Sequence, residues 1–328
     1  MILRDRGSED EMNMISSIES RHFQLNQLAE GVYAAIHAED GWAICNAGII
    51  DLGDRTLVFD AFITPMAAGD LCTAAESLTG RPVHLVINSH YHNDHIWGNQ
   101  AFPSDVDIVS TTRTRELITT EGPLEIQGNR DEAHKRLEAM EAQLAETSDE
   151  TLLSSLRLFI TEFKGIIATL PILQLRLPNL TFTGNMTFSG SKRSARLIEY
   201  EGGHSGSDAI LHLPDDDIVF MSDILFIRCH PYFPDGDPEI VRRILAEIKD
   251  LQPKILVPGH GPVGQISDLD VMVEYIDTLN VLARAAIKDG ATEEEIDKIA
   301  IPGKYDQWIV PSFFQYNLKF IYHKQLGK

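Results

Sequence analysis

The sequence predicts an α/β protein built from two β-sheets with helices on their outer sides. Three observations carry that expectation. Short strand-like segments fall into two groups, at 23–62 and 180–221, and each group gives way to helical segments. Between them, a helix at 67–78 precedes an apolar strand at 82–88, which is the order of an α/β chain.

Each element follows from local pattern. Residues 1–20 carry mixed charge and little periodicity, so a flexible N-terminus is expected, with a single domain over 21–328. Turn signals at Glu30-Gly31, Glu39-Asp40-Gly41 and Gly53-Asp54 divide 23–62 into hairpin-like strands. From about 111 to 170 the pattern is helical: Leu137, Met140 and Leu144 recur at helical spacing, as do Leu152, Leu156, Phe159, Phe163, Ile166 and Leu170. This is read as a helical insertion that packs on the body, the alternative being a cover over an active site. Strands return at 180–188, 194–200, 209–213 and 217–221, then a helix at 238–251 and an apolar strand at 254–257. The C-terminal part is helical, with Asp268 and Thr292 as expected N-caps and Glu295 completing a capping box with Thr292.

Composition narrows the function classes. With 49 acidic against 28 basic residues the formal charge is −21, which disfavours nonspecific adhesion to nucleic acid or anionic lipid. No apolar run is long enough to cross a bilayer or serve as a signal peptide, so a cytoplasmic protein without membrane association is expected. Cys45, Cys72 and Cys229 are too few and too scattered for a disulfide framework or a cysteine-rich zinc site, and are read as packing residues.

The chemistry concentrates in Ser89-His90-Tyr91-His92-Asn93-Asp94-His95, directly after the 82–88 strand. If the chain stays extended there, His90, His92 and Asp94 project to one side and His95 to another. Imidazole and carboxylate suit zinc, iron or manganese, and ligands splayed in two directions can serve two ions. Further candidates follow later strands: His204 in Gly202-Gly203-His204-Ser205-Gly206, Asp223 at the end of Ile218-Val219-Phe220-Met221, and His260 in Pro258-Gly259-His260-Gly261. Loops after strands are where an α/β sheet commonly builds its site.

In this order the motifs resemble the metallo-β-lactamase-fold superfamily of metallohydrolases, over most of the chain. The resemblance implies an αββα sandwich with a dinuclear centre at one edge of the sheets. It assigns His90, His92 and His204 to one divalent ion, and Asp94, His95 and His260 to a second, with Asp223 bridging. Asp60, after Leu57-Val58-Phe59, matches a position that supports the histidine loop from behind. Zinc is the first expectation, manganese or iron the alternatives.

That inventory implies a hydrolase in which a metal-bridging hydroxide attacks an ester, lactone, thioester or related small acyl substrate, with Asp94 as the catalytic carboxylate. The alternatives are phosphodiester hydrolysis, a β-lactamase-like reaction, and persulfide oxidation at a single iron. A bridging Asp223 is similar to the glyoxalase II and lactonase branches, and disfavours a penicillin substrate. Among the remaining residues, His230 and Tyr232 are candidate substrate contacts, and His84 and Trp97 are read as packing residues. His22, His37, His134, His212 and His323 have no neighbours in sequence that suggest chemistry. The aromatic tail of Trp308, Phe313, Phe314, Tyr316 and Phe320 is expected to cap the core; lining a pocket or joining a homodimer are its alternatives.

Overall fold

Alternation along the strands decides how the chain layers. In the computed structural model, which describes residues 18–327, β1 (Phe23–Ala29), β2 (Val32–His37), β3 (Ala47–Asp51) and β4 (Thr56–Phe59) form an antiparallel meander. Helix α1 (Pro65–Thr79) then crosses to the parallel strands β5 (Val83–Ile87) and β6 (Asp107–Thr111), and β7 (Leu180–Phe182) completes a seven-stranded sheet in sequence order. The expected flexibility of 1–20 lies outside the described residues over 1–17. Odd and even residues of each strand serve different cores. Ile49, Val58 and Val86 pack under α1, whereas Ile50, Leu57, Phe59, Leu85 and Ile87 face the second sheet.

The second sheet has five strands in the order β12 (Ile255–His260), β11 (Ile218–Phe226), β10 (Asp208–Leu213), β9 (Ser194–Tyr200) and β8 (Asn185–Ser189). Its outer face is covered by α5 (Pro238–Asp250) and α6 (Ile266–Asp289), with α8 (Ser312–Gln325) beyond them. Helix, sheet, sheet, helix is the αββα arrangement. Between the sheets, Phe59 and Phe220 meet with ring centroids 5.9 Å apart. Gly48 makes this approach possible, since a Cβ there would lie 2.6 Å from the Phe220 ring.

Several expectations need correction. The 180–188 segment is two strands in different sheets, because Gly184 takes a left-handed turn (φ 74°) and the chain crosses from one sheet to the other. Strand β11 does not stop at Met221. It bulges at Ser222 (φ 46°) and continues to Phe226, so Asp223 sits within a strand. Asp268 is not the N-cap of α6; its carboxylate accepts the N–H of Gln265 (2.8 Å), the residue before the helix. His84 faces outward and is exposed, where core packing was expected. Thr292 does cap the short α7 (Glu293–Ile296) with a full capping box. Trp308 and Phe314 are buried over the core beside Tyr275, while Phe313 stands at a cavity and Tyr316 is exposed.

The helical stretch is a hairpin of α3 (Thr112–Glu146) and α4 (Glu150–Thr169). Ile118, Ala133, Ile166 and Leu170 join Ile44, Ile96 and Trp97 in a small separate core. The hairpin therefore packs directly on the segment that follows β5. No helix among the described residues is long and apolar enough to cross a membrane.

Asn46 ties the two sheets together next to the site. Its side chain donates to the carbonyls of Pro258 (3.0 Å) and Gly261 (2.8 Å) and accepts the N–H of His37 (3.1 Å). Asn46→Ala strands these buried groups, so it is expected to destabilise the protein by about 1–3 kcal/mol. Urea unfolding should show a lower midpoint at unchanged slope, and an unshifted midpoint would contradict the tie.

Candidate metal centre

The segment after β5 is extended only as far as His92, which has φ −65° and ψ 148° and starts the one-turn helix α2 (Asn93–Ile96). A helical turn rotates successive side chains by about 100°. Asp94 therefore leaves the side shared by His90 and His92 and joins His95, contrary to the extended reading. A 3-10 turn at Trp97–Ala101 follows, and Trp97 packs beneath the loop, 1% exposed. Gly98 allows that turn to press on the β4 end, since a Cβ there would lie 1.8 Å from the Ala61 carbonyl oxygen.

Two sets of ligand-type atoms result. His90 Nε2 and His204 Nε2 each lie 3.0 Å from His92 Nδ1, so three imidazole nitrogens converge, and Asp223 joins them. Asp223 Oδ2 is 3.3 Å from His204 Nε2 and 4.0 Å from His90 Nε2. In the second set, His260 Nε2 is 3.3 Å from Asp94 Oδ2 and 3.4 Å from Asp223 Oδ2. His95 Nε2 is 3.2 Å from Asp223 Oδ1 and 3.4 Å from Asp94 Oδ2. The Asp223 carboxylate thus stands between the two sets, with Oδ2 near His204 and His260 and Oδ1 near His95. His95 Nε2 and Asp223 Oδ1 are buried and lack a hydrogen-bond partner, a cost that a cation between them would remove.

The outer faces of these candidate ligands are held in place. Asp60 is fully buried at φ 63°; it accepts from His95 Nδ1 (2.9 Å), the Ser89 N–H (2.8 Å) and Ser222 Oγ (3.0 Å). His90 Nδ1 meets Ser89 Oγ at 2.9 Å. His92 Nε2 meets Asp235 Oδ2 at 3.0 Å, and Phe226 stacks on His260. The turn carrying His204 is folded on Asp208, which accepts the N–H groups of His204 and Ser205. Gly259 is required beside Asp223, because a Cβ would lie 1.8 Å from Oδ1.

The site is strongly polarised. Burial works to raise Asp223 and Asp94, but the surrounding imidazoles hold both well below the usual carboxylate range. Burial works to lower His260, yet Asp223 and Asp94 bring it up to about 10, while burial takes His204 down to about 3. The ionised carboxylates are already in the state that metal ligands need, whereas His260 would have to give up its proton to a bound cation.

A cavity of about 290 Å³ opens over the cluster, walled by Ile44, Phe226, Tyr232, Ile309, Val310 and Phe313 and, from the hairpin, Glu125, Leu158, Phe159 and Glu162. The hairpin is thus a wall of the site, the alternative weighed for it above. Tyr232 is at this wall. His230 is not: it is fully buried, with Nδ1 2.9 Å from the Tyr275 hydroxyl and its ring against Trp308 and Phe314. Its proximity to Asp223 in sequence is misleading because the chain turns into the C-terminal core at Arg228, where φ is 55°. Residues that sequence reasoning missed are His37, Cys45, Glu125, Glu162 and Asp235. Cys45 is buried and its Sγ donates to the Asp94 carbonyl (2.9 Å), close enough to group with Asp94 and His95. Only Glu162 left a legible signal, a carboxylate set on the apolar stripe of α4 between Phe159 and Ile166.

A fold with two sheets, outer helices and a His/Asp cluster able to bind metal at the sheet edge defines a class. The family profile of the metallo-beta-lactamase superfamily matches residues 40–260, and the chain belongs to that superfamily. Solved structures share the fold at low identity. A metallo-beta-lactamase from Pontibacter korlensis aligns with 15% identity and a TM-score of 0.55 over 78% of this chain and 99% of its own. One from Erythrobacter litoralis, with beta-mercaptoethanol in its active site, aligns with 14% identity and a TM-score of 0.55 over 79% and 98%. One from Pseudomonas aeruginosa in a mono-zinc form aligns with 11% identity and a TM-score of 0.54 over 78% and 96%.

Proposed function

We propose that the protein is a dinuclear metal-dependent hydrolase, with zinc as its metal, acting on a small ester, lactone, thioester or related acyl substrate. The observation that carries this reading is the Asp223 carboxylate, which lies within reach of both ligand sets: Oδ2 is 3.3 Å from His204 Nε2 and 3.4 Å from His260 Nε2, and Oδ1 is 3.2 Å from His95 Nε2. His90, His92 and His204 would hold one ion and Asp94, His95 and His260 the other, with Asp223 available to both. Divalent ions held there would supply Lewis acidity, lowering the pKa of a water to about 7 and polarising the substrate's acyl oxygen. Asp94, with a side chain 15% exposed, orients the attacking water through its carboxylate, takes its proton and returns it to the leaving group. Asp60 and Asp235 fix the ring orientations of His95 and His92 from outside. The walls of Phe226, Phe159 and Phe313 keep bulk water from the acyl group, and the cavity volume suits a small substrate.

The test joins metal analysis with a substrate panel. Purified protein is expected to carry two divalent ions per chain and to hydrolyse at least one lactone, thioester or aryl ester. Hydrolysis confined to phosphodiesters or to β-lactams would replace the acyl reading. One iron per chain, with oxygen consumed in the presence of a persulfide, would replace the hydrolase reading altogether.

A further inference from the structure

The helical hairpin sets two carboxylates into the cavity wall beyond the ligand cluster. Glu125 comes from α3 and Glu162 from α4, and both line the cavity with Asn93, Asp94 and Phe159. Their remaining surface faces the cavity and the adjoining outer groove. Neither carboxylate makes a hydrogen bond or ion pair with another described residue. Arg136 shares the outer groove and pairs with neither. Burial lifts Glu125 to about 7 and Glu162 to about 8, with Asp94 adding to the rise in both. Glu162 also interrupts the apolar stripe of α4, where a leucine would pack without cost. Two unpartnered acids half-buried in the cavity wall cost stability unless something outside the chain pairs with them.

We infer that the substrate carries a cationic nitrogen, and that Glu125 and Glu162 bind it while the acyl carbon lies over Asp94 and Asp223. This rests on the acyl-hydrolase reading and names its substrate class: an amino-acyl ester or thioester rather than a free carboxylate. An ammonium group supplies the donors that both carboxylates lack, and the aromatic rings of Phe159, Phe313 and Tyr232 line the same cavity. A substrate carboxylate at that end would supply no donor to either acid and would add to the negative charge of Asp94.

Calorimetric titration of the metal-loaded protein with phenethylamine and with phenethyl alcohol tests recognition apart from turnover. The amine is expected to bind about ten- to a hundredfold more tightly, and the E125Q/E162Q variant to lose that difference with its metal content retained. In parallel, the kcat/KM ratio for a 4-aminobutyryl thioester over the pentanoyl thioester should favour the amine and fall by a similar factor in the variant. Equal affinity for the two probes, or binding of neither, overturns the inference, and the wild-type comparison decides this even if the variant fails to fold. A third metal ion per chain that disappears in E125Q/E162Q also overturns it, by assigning the pair to a metal. Cation binding without hydrolysis of any acyl compound supports the inference and sinks the hydrolase reading instead.

Discussion

Asp223→Ala is expected to lose bound metal and, with it, hydrolysis by about a thousandfold or more. The carboxylate stands between the two ligand sets, with Oδ1 3.2 Å from His95 Nε2 and Oδ2 3.3 and 3.4 Å from His204 and His260. No neighbour can replace both oxygens. Metal contributes several kcal/mol to such a transition state, and about 4 kcal/mol corresponds to three orders of magnitude in rate. Each ligand set also draws on both sheets: His90, His92, Asp94 and His95 follow β5 of one, whereas His204 precedes β10 and Asp223 and His260 lie on β11 and β12 of the other. Metal bound there would therefore staple the sandwich at its edge. Chelation of the wild type should lower Tm, by an amount set by how far metal exceeds its Kd, about 4 kcal/mol at a thousandfold excess. In Asp223→Ala the chelator should shift Tm much less. An inactive Asp223→Ala protein that bound two ions with unchanged affinity would contradict the bridging role.

The second large effect is expected at Asp60. Its carboxylate is fully buried and receives the Ser89 N–H, Ser222 Oγ and His95 Nδ1. Asp60→Ala leaves the loop's amide and the imidazole without their acceptor in an interior that water does not reach. A loss of about 3–5 kcal/mol in stability follows from breaking a buried charged pair, together with a 10- to 100-fold loss in metal affinity, approximately, from freeing the ligand's orientation. Alanine also has to adopt the left-handed φ of 63° found at this position. Asp60→Asn, which tolerates that backbone, should keep more of the stability than of the metal affinity. Thermal unfolding and competition against a metal chromophore measure the two separately. Metal affinity within about twofold of wild type in Asp60→Ala would show that the loop holds its histidines without help.

Much of the fold was readable because strand alternation and helical periodicity are local. The 67–78 helix and the 82–88 strand anticipate α1 and β5 to within a few residues, and Thr292 with Glu295 forms its capping box. The errors came where local pattern underdetermines the backbone. Gly184 breaks an apparently continuous strand, and the bulge at Ser222 lets β11 run on through Asp223. His84 and His230 exchanged expectations for the same reason. Alternation put His84 on the outward face of β5, while a turn at Arg228 carried His230 into the aromatic core.

The sequence by itself determined the superfamily motifs and their order, since His, Asp and Gly at fixed short spacing are chemical requirements that survive translation into one dimension. The family resemblance already divided those residues into two sets, but only the tertiary structure showed how the backbone does it, the helical turn at Asn93–Ile96 rotating Asp94 and His95 away from His90 and His92. The tertiary structure alone brought Asp235 to His92 and set Glu125 and Glu162 over the site. Those contacts join residues far apart in the chain, and their partners are chosen by how the hairpin and the sheets pack, which no local spacing records.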